Sequence, residues 1–254
     1  MALLQGQVIL NTRPAHQQAE LSALLQREGA RVLSFPVIEI VAAAAPAPGV
    51  DPAAYDILLF VSRNAVDGAF RLFDSESLAA VERLGVIGTA TAAALIEKLG
   101  DPGERLIQSR PFNSEALLAT EALQQVSGKR ILILRGQQGR NLLGDELVAR
   151  GARVDYQEVY RRELPPADPA SFNRLVEAGF PTLVILTSNE GMNNLFRLVD
   201  AAAAERLKQV PWLLISERMR ESALKLGHNA PIVIASSASD SGIRQTVCAW
   251  AEQQ

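Results

Sequence analysis

Short aliphatic runs alternate along the chain with longer stretches in which apolar residues recur every three or four positions. The runs lack the strict alternation of a strand with one wet face, which indicates strands buried on both faces of a sheet. Strand followed by helix, repeated throughout, predicts an α/β fold with doubly wound parallel sheets. We predict ten strands, over residues 8–11, 31–35, 57–61, 84–87, 105–108, 130–134, 153–156, 182–186, 212–215 and 232–234.

Polar residues and glycines predict where the helices begin and end. Pro14 is typical of a first helical turn. Asn113 with Ser114, and Ser239 with Asp240, are typical of residues that cap a helix start. Glycine tolerates the left-handed backbone that often follows a helix, and four glycines stand at such places: Gly29, Gly100, Gly151 and Gly227.

The chain repeats itself. Residues 8–32 and 131–154 both read as a strand, a turn with arginine, a helix and Gly-Ala-Arg-Val. Residues 59–64 and 185–189 both read as a strand, a hydroxyl residue and an asparagine at a helix start. Two further matches keep this order: 87–88 with 215–216, and 113–114 with 239–240. The offset stays at about 122–128 residues, which indicates a duplication in the order A–B–A′–B′.

An extended segment follows each A unit, at residues 35–41 and 157–163. Pro36 and the β-branched residues favour extended backbone there, and the equivalent positions predict that the two segments pair as a ribbon. Such a ribbon would join one lobe of B with A′ to another of A with B′, with a hinge between them. Periodicity alone leaves open the plainer partition into A with B and A′ with B′.

Composition supports a globular protein with an aliphatic core. Apolar residues make up 48% of the chain and charged residues 21%, whereas aromatics reach only 5%. The net charge is −3, from 25 basic and 28 acidic residues, so we expect no nucleic-acid partner. A cleft that is locally positive still permits an anionic ligand.

The rarer residue types indicate no metal site or disulfide. The single cysteine, Cys248, is interpreted as a small buried apolar residue. The two histidines, His16 and His228, stand in no motif, and we expect both on the surfaces of helices. The first fourteen residues lack the pattern of a signal peptide, and no apolar run reaches membrane-spanning length, which predicts a cytoplasmic protein without membrane contact.

Hydroxyl residues, small residues and arginines follow the predicted strands, where parallel sheets bind ligands. Helix starts at this edge favour anions, so we predict a ligand with many carboxylates in the cleft between the two halves. The same residue types also serve as ordinary helix caps. The candidate contacts are Arg13, Ser62, Arg63, Asn64, Thr89, Thr91, Ser114, Arg135, Gly136, Arg140, Ser188 and Ser216.

Several familiar catalytic patterns are missing from the sequence. Residues 135–140, RGQQGR, lack the third glycine of a dinucleotide site and the Lys-Ser/Thr ending of a P-loop. No Gly-x-Ser-x-Gly elbow occurs. No acid/base pair stands out by spacing. If the protein is an enzyme, we therefore expect it to act mainly by positioning its substrate.

An ordered set of motifs resembles the uroporphyrinogen-III synthase family over nearly the whole chain. Each motif is short, and their common order makes the set specific. They are NTRP at 11–14, FPVIEI at 35–40, FVSRNAV at 60–66, IGTATAAAL at 87–95, NSEALL at 113–118, LRGQQGR at 134–140, GARV at 151–154 and VYRR at 159–162.

The resemblance implies the interleaved architecture: two flavodoxin-like parallel-sheet lobes joined by a two-stranded β-ribbon. The lobes would comprise residues 1–35 plus 164–254, and 42–156, with the ribbon at 36–41 and 157–163. It also implies a lyase reaction without a cofactor. Hydroxymethylbilane, a linear tetrapyrrole with eight carboxylates, loses its terminal hydroxyl and closes, through a spiro intermediate, with inversion of the last pyrrole ring. The product is uroporphyrinogen III, and we expect the enzyme to be a monomer.

The resemblance also assigns residues. Tyr160 matches a family tyrosine able to hydrogen-bond the departing hydroxyl, although a structural tyrosine at a ribbon end fits the same position. Thr91 matches a threonine facing the cleft, and Ser62 and Ser188 match strand-end serines. The later turn at 215–220 departs from the family pattern, since it contains no threonine.

Two other functions remain open from the sequence. A non-catalytic two-lobe cytosolic sensor of small anions would also lack a catalytic constellation. A two-domain sugar-nucleotide transferase would share the fold class. Neither has a residue pattern that specifically predicts it.

Overall fold

A computed structural model describes residues 2–137, 139, 141–166 and 168–254 of the chain. The chain divides into two compact units. Unit 1 consists of Met1–Glu39 and Glu163–Gln254, and unit 2 of Ile40–Arg162. Both ends of the chain therefore belong to the same unit.

Strands and helices alternate, which confirms the predicted α/β class. The strands within the described residues are β1 (Val8–Asn11), β2 (Arg31–Ser34), β3 (Glu39–Ala42), β4 (Ile57–Phe60), β5 (Arg83–Val86), β6 (Leu106–Ile107), β7 (Arg130–Gly136), β8 (Arg153–Glu163), β9 (Leu183–Leu186), β10 (Trp212–Leu214) and β11 (Ile232–Ile234). The α-helices there are α1 (Ala19–Arg27), α2 (Arg63–Leu72), α3 (Ser75–Ala79), α4 (Thr89–Leu99), α5 (Ser114–Leu118), α6 (Leu142–Ala149), α7 (Pro169–Val176), α8 (Asn189–Leu198), α9 (Ala201–Leu207), α10 (Glu217–Lys225) and α11 (Asp240–Ala251).

Each unit is built on its own parallel sheet. The sheet of unit 1 has the order β11-β10-β9-β1-β2, and every pairing in it is parallel. When the five strands of this unit are numbered 1 to 5 along the chain and the sheet is read from β2, the order is 2-1-3-4-5, which is the flavodoxin-like arrangement. The sheet of unit 2 has the order β3-β8-β7-β4-β5-β6. Apart from β3, the two sheets match strand for strand, with β7 and β8 equivalent to β1 and β2.

The strand β3 lies at the edge of the unit 2 sheet, next to β8. The sequence predicted a strand at residues 153–156 and a separate extended segment at 157–163 that pairs with the segment at 35–41. Instead β8 is one strand of 11 residues. The amide of Ala43 donates to the carbonyl of Val159 at 3.1 Å, which extends this pairing. A linking role for the pair stays a prediction.

Capping side chains fix where the helices begin. Besides Asp74 and Asp200, five capping residues with hydroxyl or amide side chains each accept a hydrogen bond from the amide three positions later, and Ser114 and Asp240 are the first helical residues after two of them. The four predicted helix-end glycines all have positive φ, between 78° and 94°. The five capping residues are Ser62, Asn113, Ser188, Ser216 and Ser239.

Aliphatic side chains fill the core on both faces of each sheet. Every residue of β4 and β9 is buried, as expected for central strands of a doubly wound sheet. Cys248 is buried on α11, as predicted. Within the described part of the chain, no helix combines the length and the apolar composition needed to cross a bilayer.

The prediction for His228 was wrong, because this histidine is buried in unit 1. Only 3% of it is exposed, and its ring stacks on Trp212 with the centroids 3.9 Å apart. Neither ring nitrogen has a hydrogen-bond partner within the described residues. Sequence periodicity did not place it inward, because it follows the end of α10 and precedes the edge strand β11.

Unit 1 should lose stability as the pH falls below about 6.5, the ordinary pKa of histidine. Burial lowers the pKa of His228 in the fold. The unfolded chain then binds a proton that the folded chain excludes, so acid favours unfolding. Urea denaturation between pH 7.5 and 5.5 measures this slope. A His228→Gln variant should show a smaller slope, and an equal slope in both proteins would contradict the prediction.

Candidate active site

Five of the predicted site residues line one pocket of about 450 Å³ in unit 2. It lies where strands β4, β5, β6 and β7 end, the edge at which parallel sheets bind ligands. Strands β7 and β8, the residues just after β4 and β5, the start of α5 and helix α6 contribute to it. The lining consists of Val61, Ser62, Ile87, Asn113, Ser114, Glu115, Ile133, Arg135, Gly136, Gln137, Gly139, Leu143, Tyr160 and Arg162.

Tyr160 lies on β8 with its hydroxyl at this pocket. Its side chain is buried, with 5% of the residue exposed, and its Oη is 3.2 Å from Oγ of Ser62. The ring packs directly over Gly136, where a Cβ atom would lie 2.6 Å from the ring carbon Cζ. Glycine at position 136 therefore creates the space in which the tyrosine ring lies.

Ser62 has two partners. As the cap of α2, its Oγ accepts a hydrogen bond from the amide of Ala65 at 3.1 Å. Its own hydroxyl proton is then available to the oxygen of Tyr160. With Ser62 donating in this way, the phenol proton of Tyr160 is free to be donated to a ligand.

Arg135, at the end of β7, supplies a positive charge to the pocket. Its guanidinium stacks on the ring of Tyr156 at 4.0 Å and donates to Oδ1 of Asn141 at 2.9 Å and to the carbonyl of Gly139 at 3.3 Å. The carboxylate of Glu158 is 3.9 Å away. These contacts hold the side chain in place without fully neutralising its charge, because Glu158 is distant and 44% exposed.

The sequence interpretation overlooked part of the lining. Arg162 stands two residues after Tyr160 on β8, and alternate residues of a strand share a face. Applying that period to the extended segment predicted at residues 157–163 would have identified Arg162 beside Tyr160. Asn113 was predicted only as a cap, and Glu115 contributes an acidic group to the lining.

Other predicted residues of unit 2 lie outside this lining. Arg63 forms a long ion pair of 3.9 Å with Asp67, and Asn64 is buried on α2. Thr89 is exposed at the start of α4. Thr91 is 3% exposed, and its hydroxyl donates to the carbonyl of Ile87 at 2.6 Å. Its hydroxyl is thus directed into the fold.

The remaining predicted residues, except one, belong to unit 1. Arg13 pairs directly with Asp240, with the two side chains 15% and 17% exposed. Ser188 and Ser216 cap α8 and α10 and accept hydrogen bonds from amides at 2.9 and 3.4 Å. The other, Arg140, lies outside the described residues.

The pocket is suited to binding an anionic ligand by hydrogen bonds and charge. Arg135 and Arg162 are positive, Glu115 is negative, and the hydroxyls of Ser62, Ser114 and Tyr160 add uncharged donors. A ligand with carboxylate and hydroxyl groups would find partners for both.

A comparison with protein families matches residues 19–244 to the family model described as "Uroporphyrinogen-III synthase HemD". The chain is 35% identical over 230 residues to uroporphyrinogen-III synthase of Salmonella typhimurium, covering 86% of this chain and 91% of that one. It is 34% identical over 235 residues to the enzyme of the same name from Escherichia coli K12, with the same coverage.

Solved structures of the same name share the fold. Uroporphyrinogen-III synthetase of Helicobacter pylori superposes with a TM-score of 0.64 at 16% identity, covering 96% of this chain and 99% of that one. A mutant uroporphyrinogen III synthase of Thermus thermophilus gives a TM-score of 0.56 at 20% identity, covering 98% and 99%.

Proposed function

Because this chain belongs to the uroporphyrinogen-III synthase family, we propose that it cyclises hydroxymethylbilane to uroporphyrinogen III and holds part of this substrate in the unit 2 pocket. The enzyme is a lyase, since water is lost as the ring closes. The alternative of a non-catalytic anion sensor is not favoured, because the relatives are biosynthetic enzymes.

The hydroxyl pair of Tyr160 and Ser62 is the observation that carries the proposed chemistry. The terminal hydroxyl of the substrate leaves with the electrons of its carbon–oxygen bond and needs a hydrogen-bond donor as negative charge develops on the oxygen. Tyr160 supplies this donor when Ser62 donates to its oxygen. The carbon left behind is an azafulvene-like cation, stabilised by its pyrrole nitrogen, and needs no covalent partner from the protein.

Positive charge in the pocket supports binding of the carboxylated rings. Arg135 is anchored at the end of β7, and Arg162 is on the same face of β8 as Tyr160. Holding the chain in the conformation that allows ring inversion is an effect of orientation. This is the effect that the reaction needs, since the free substrate closes unaided to the uninverted isomer.

The isomer composition of the product tests the proposed function. Purified protein is mixed with hydroxymethylbilane, the product is oxidised to porphyrin, and the isomers are separated by chromatography. We expect isomer III to dominate at enzyme concentrations where the catalysed reaction is faster than spontaneous ring closure. Isomer I alone, in the proportion given by buffer or by heat-denatured protein, would overturn the proposal.

A further inference from the structure

The duplication allows residues of the two units to be compared position by position. In unit 1, Asn11 pairs with Ile185 across the sheet, and in unit 2, Ile133 pairs with Leu59. Ile185 and Leu59 each stand three residues before the serine that caps the next helix. Asn11 and Ile133 therefore occupy equivalent places in the two sheets.

An arginine follows two residues after each of these positions: Arg13 in unit 1 and Arg135 in unit 2. A second equivalence follows from the helices after β11 and β6, each of which begins with a capping side chain. The residue after the cap is Asp240 in unit 1 and Ser114 in unit 2. The pair Arg13 and Asp240 thus corresponds to the pair Arg135 and Ser114.

The two pairs differ in charge. In unit 1 the carboxylate of Asp240 contacts the guanidinium of Arg13 directly, and both side chains are largely buried. In unit 2 the equivalent position holds an uncharged hydroxyl. Among the described residues, the one carboxylate near the guanidinium of Arg135 is that of Glu158, which is exposed and 3.9 Å away, and the buried Nε of Arg135 lacks a hydrogen-bond partner.

We propose that a substrate carboxylate takes, beside Arg135, the place that the carboxylate of Asp240 takes beside Arg13. The residue at position 114 then decides whether the pocket admits that carboxylate, because an acidic side chain there would occupy the site from within. This inference rests on the proposed function, since it names the group of the substrate that the unit 2 pocket receives.

The geometry of the pocket supports this assignment. Ser114 and Arg135 line the same cavity of about 450 Å³, which is within the ordinary range for small-molecule sites. Glu115 is the one acidic side chain among the described lining residues, against Arg135 and Arg162. An arginine paired with a carboxylate makes strong, directional hydrogen bonds, so the loss of this pairing should be measurable.

The test is the Ser114→Asp variant, with Ser114→Asn as its uncharged control of similar size. We expect Ser114→Asp to raise KM for hydroxymethylbilane about tenfold or more over Ser114→Asn, with kcat changed less than threefold. Its melting temperature should be no lower than that of the control, because an acidic residue is favourable in the first turn of a helix. Equal KM values in the two variants would overturn the proposal.

A second measurement isolates the role of Arg135. In an Arg135→Gln background, introducing Ser114→Asp should change KM less than threefold, because the charge that it blocks is gone. A tenfold rise of KM in the Arg135→Gln background too would overturn the proposal, because the acidic side chain would then weaken substrate binding without involving Arg135. If the Arg135→Gln protein does not fold, the comparison of the two position 114 variants decides the proposal alone. Formation of isomer III by the unmodified protein tests the function separately, so either idea can fail without the other.

Discussion

Replacing Tyr160 with phenylalanine is expected to lower kcat by about 100-fold, the lower range for a positioned proton or hydrogen-bond donor. The change removes only the hydroxyl that lies 3.2 Å from Ser62 and keeps the ring that packs over Gly136. KM should change little, because the departing hydroxyl contributes less to binding than the carboxylates do. Initial rates with hydroxymethylbilane, with the isomers resolved, measure this.

Tyr55→Phe is the matched control. Tyr55 is also a largely buried tyrosine of unit 2, but its hydroxyl bonds Asp155 at 3.0 Å near the beginnings of the strands. Its loss should leave kcat within twofold. If Tyr160→Phe retains full turnover and an intact fold, Tyr160 has a structural role only.

Gly68→Ala should destabilise unit 2 by about 2–3 kcal/mol, as overpacking does in a tight interface. A Cβ atom at position 68 would lie 2.6 Å from the carbonyl oxygen of Val159 on β8. This oxygen belongs to the backbone and cannot turn aside as a side chain does. The gain in helix propensity, about 1 kcal/mol, is smaller than this cost. Urea denaturation followed by circular dichroism measures the change.

Gly191→Ala supplies the comparison, because Gly191 is also a buried glycine and lies on the equivalent helix of unit 1, α8. Its nearest neighbours would be side-chain atoms, Oγ of Ser188 at 3.1 Å and Cγ2 of Val37 at 3.2 Å. Side chains yield more readily, so we expect a loss below about 1 kcal/mol. A loss at Gly191 as large as that at Gly68 would contradict the backbone explanation.

Much of the fold was predictable because its signals are local. Strands β1 and β11 have the predicted bounds, since aliphatic runs and turn residues mark both ends. The sequence predicted extended backbone at residues 157–163 but not its continuity with the strand at 153–156, because residues 157–163 are mostly polar and the single long strand forms through pairing with distant segments. Long-range pairing of this kind leaves little trace in the local pattern.

The candidate site was predictable by residue type but not by orientation. The sequence indicated hydroxyls and arginines at strand ends, and Ser62, Ser114, Arg135, Gly136 and Tyr160 do line one pocket. It could not indicate that the hydroxyl of Thr91 bonds its own helix start. Nor could it show that Arg13 pairs with a carboxylate 227 positions away.

The interleaved order of the chain has a consequence for synthesis on the ribosome. Unit 2 is complete once Arg162 has emerged, whereas unit 1 still lacks every residue from Glu163 onward. At about 5–20 residues per second, the nascent β1 and β2 wait about 7–35 s for β9 to pair with them. Ile9 and Leu10, fully buried in the finished protein, stay exposed during that interval. We therefore expect the amino-terminal segment to be the part of the nascent chain that chaperones bind.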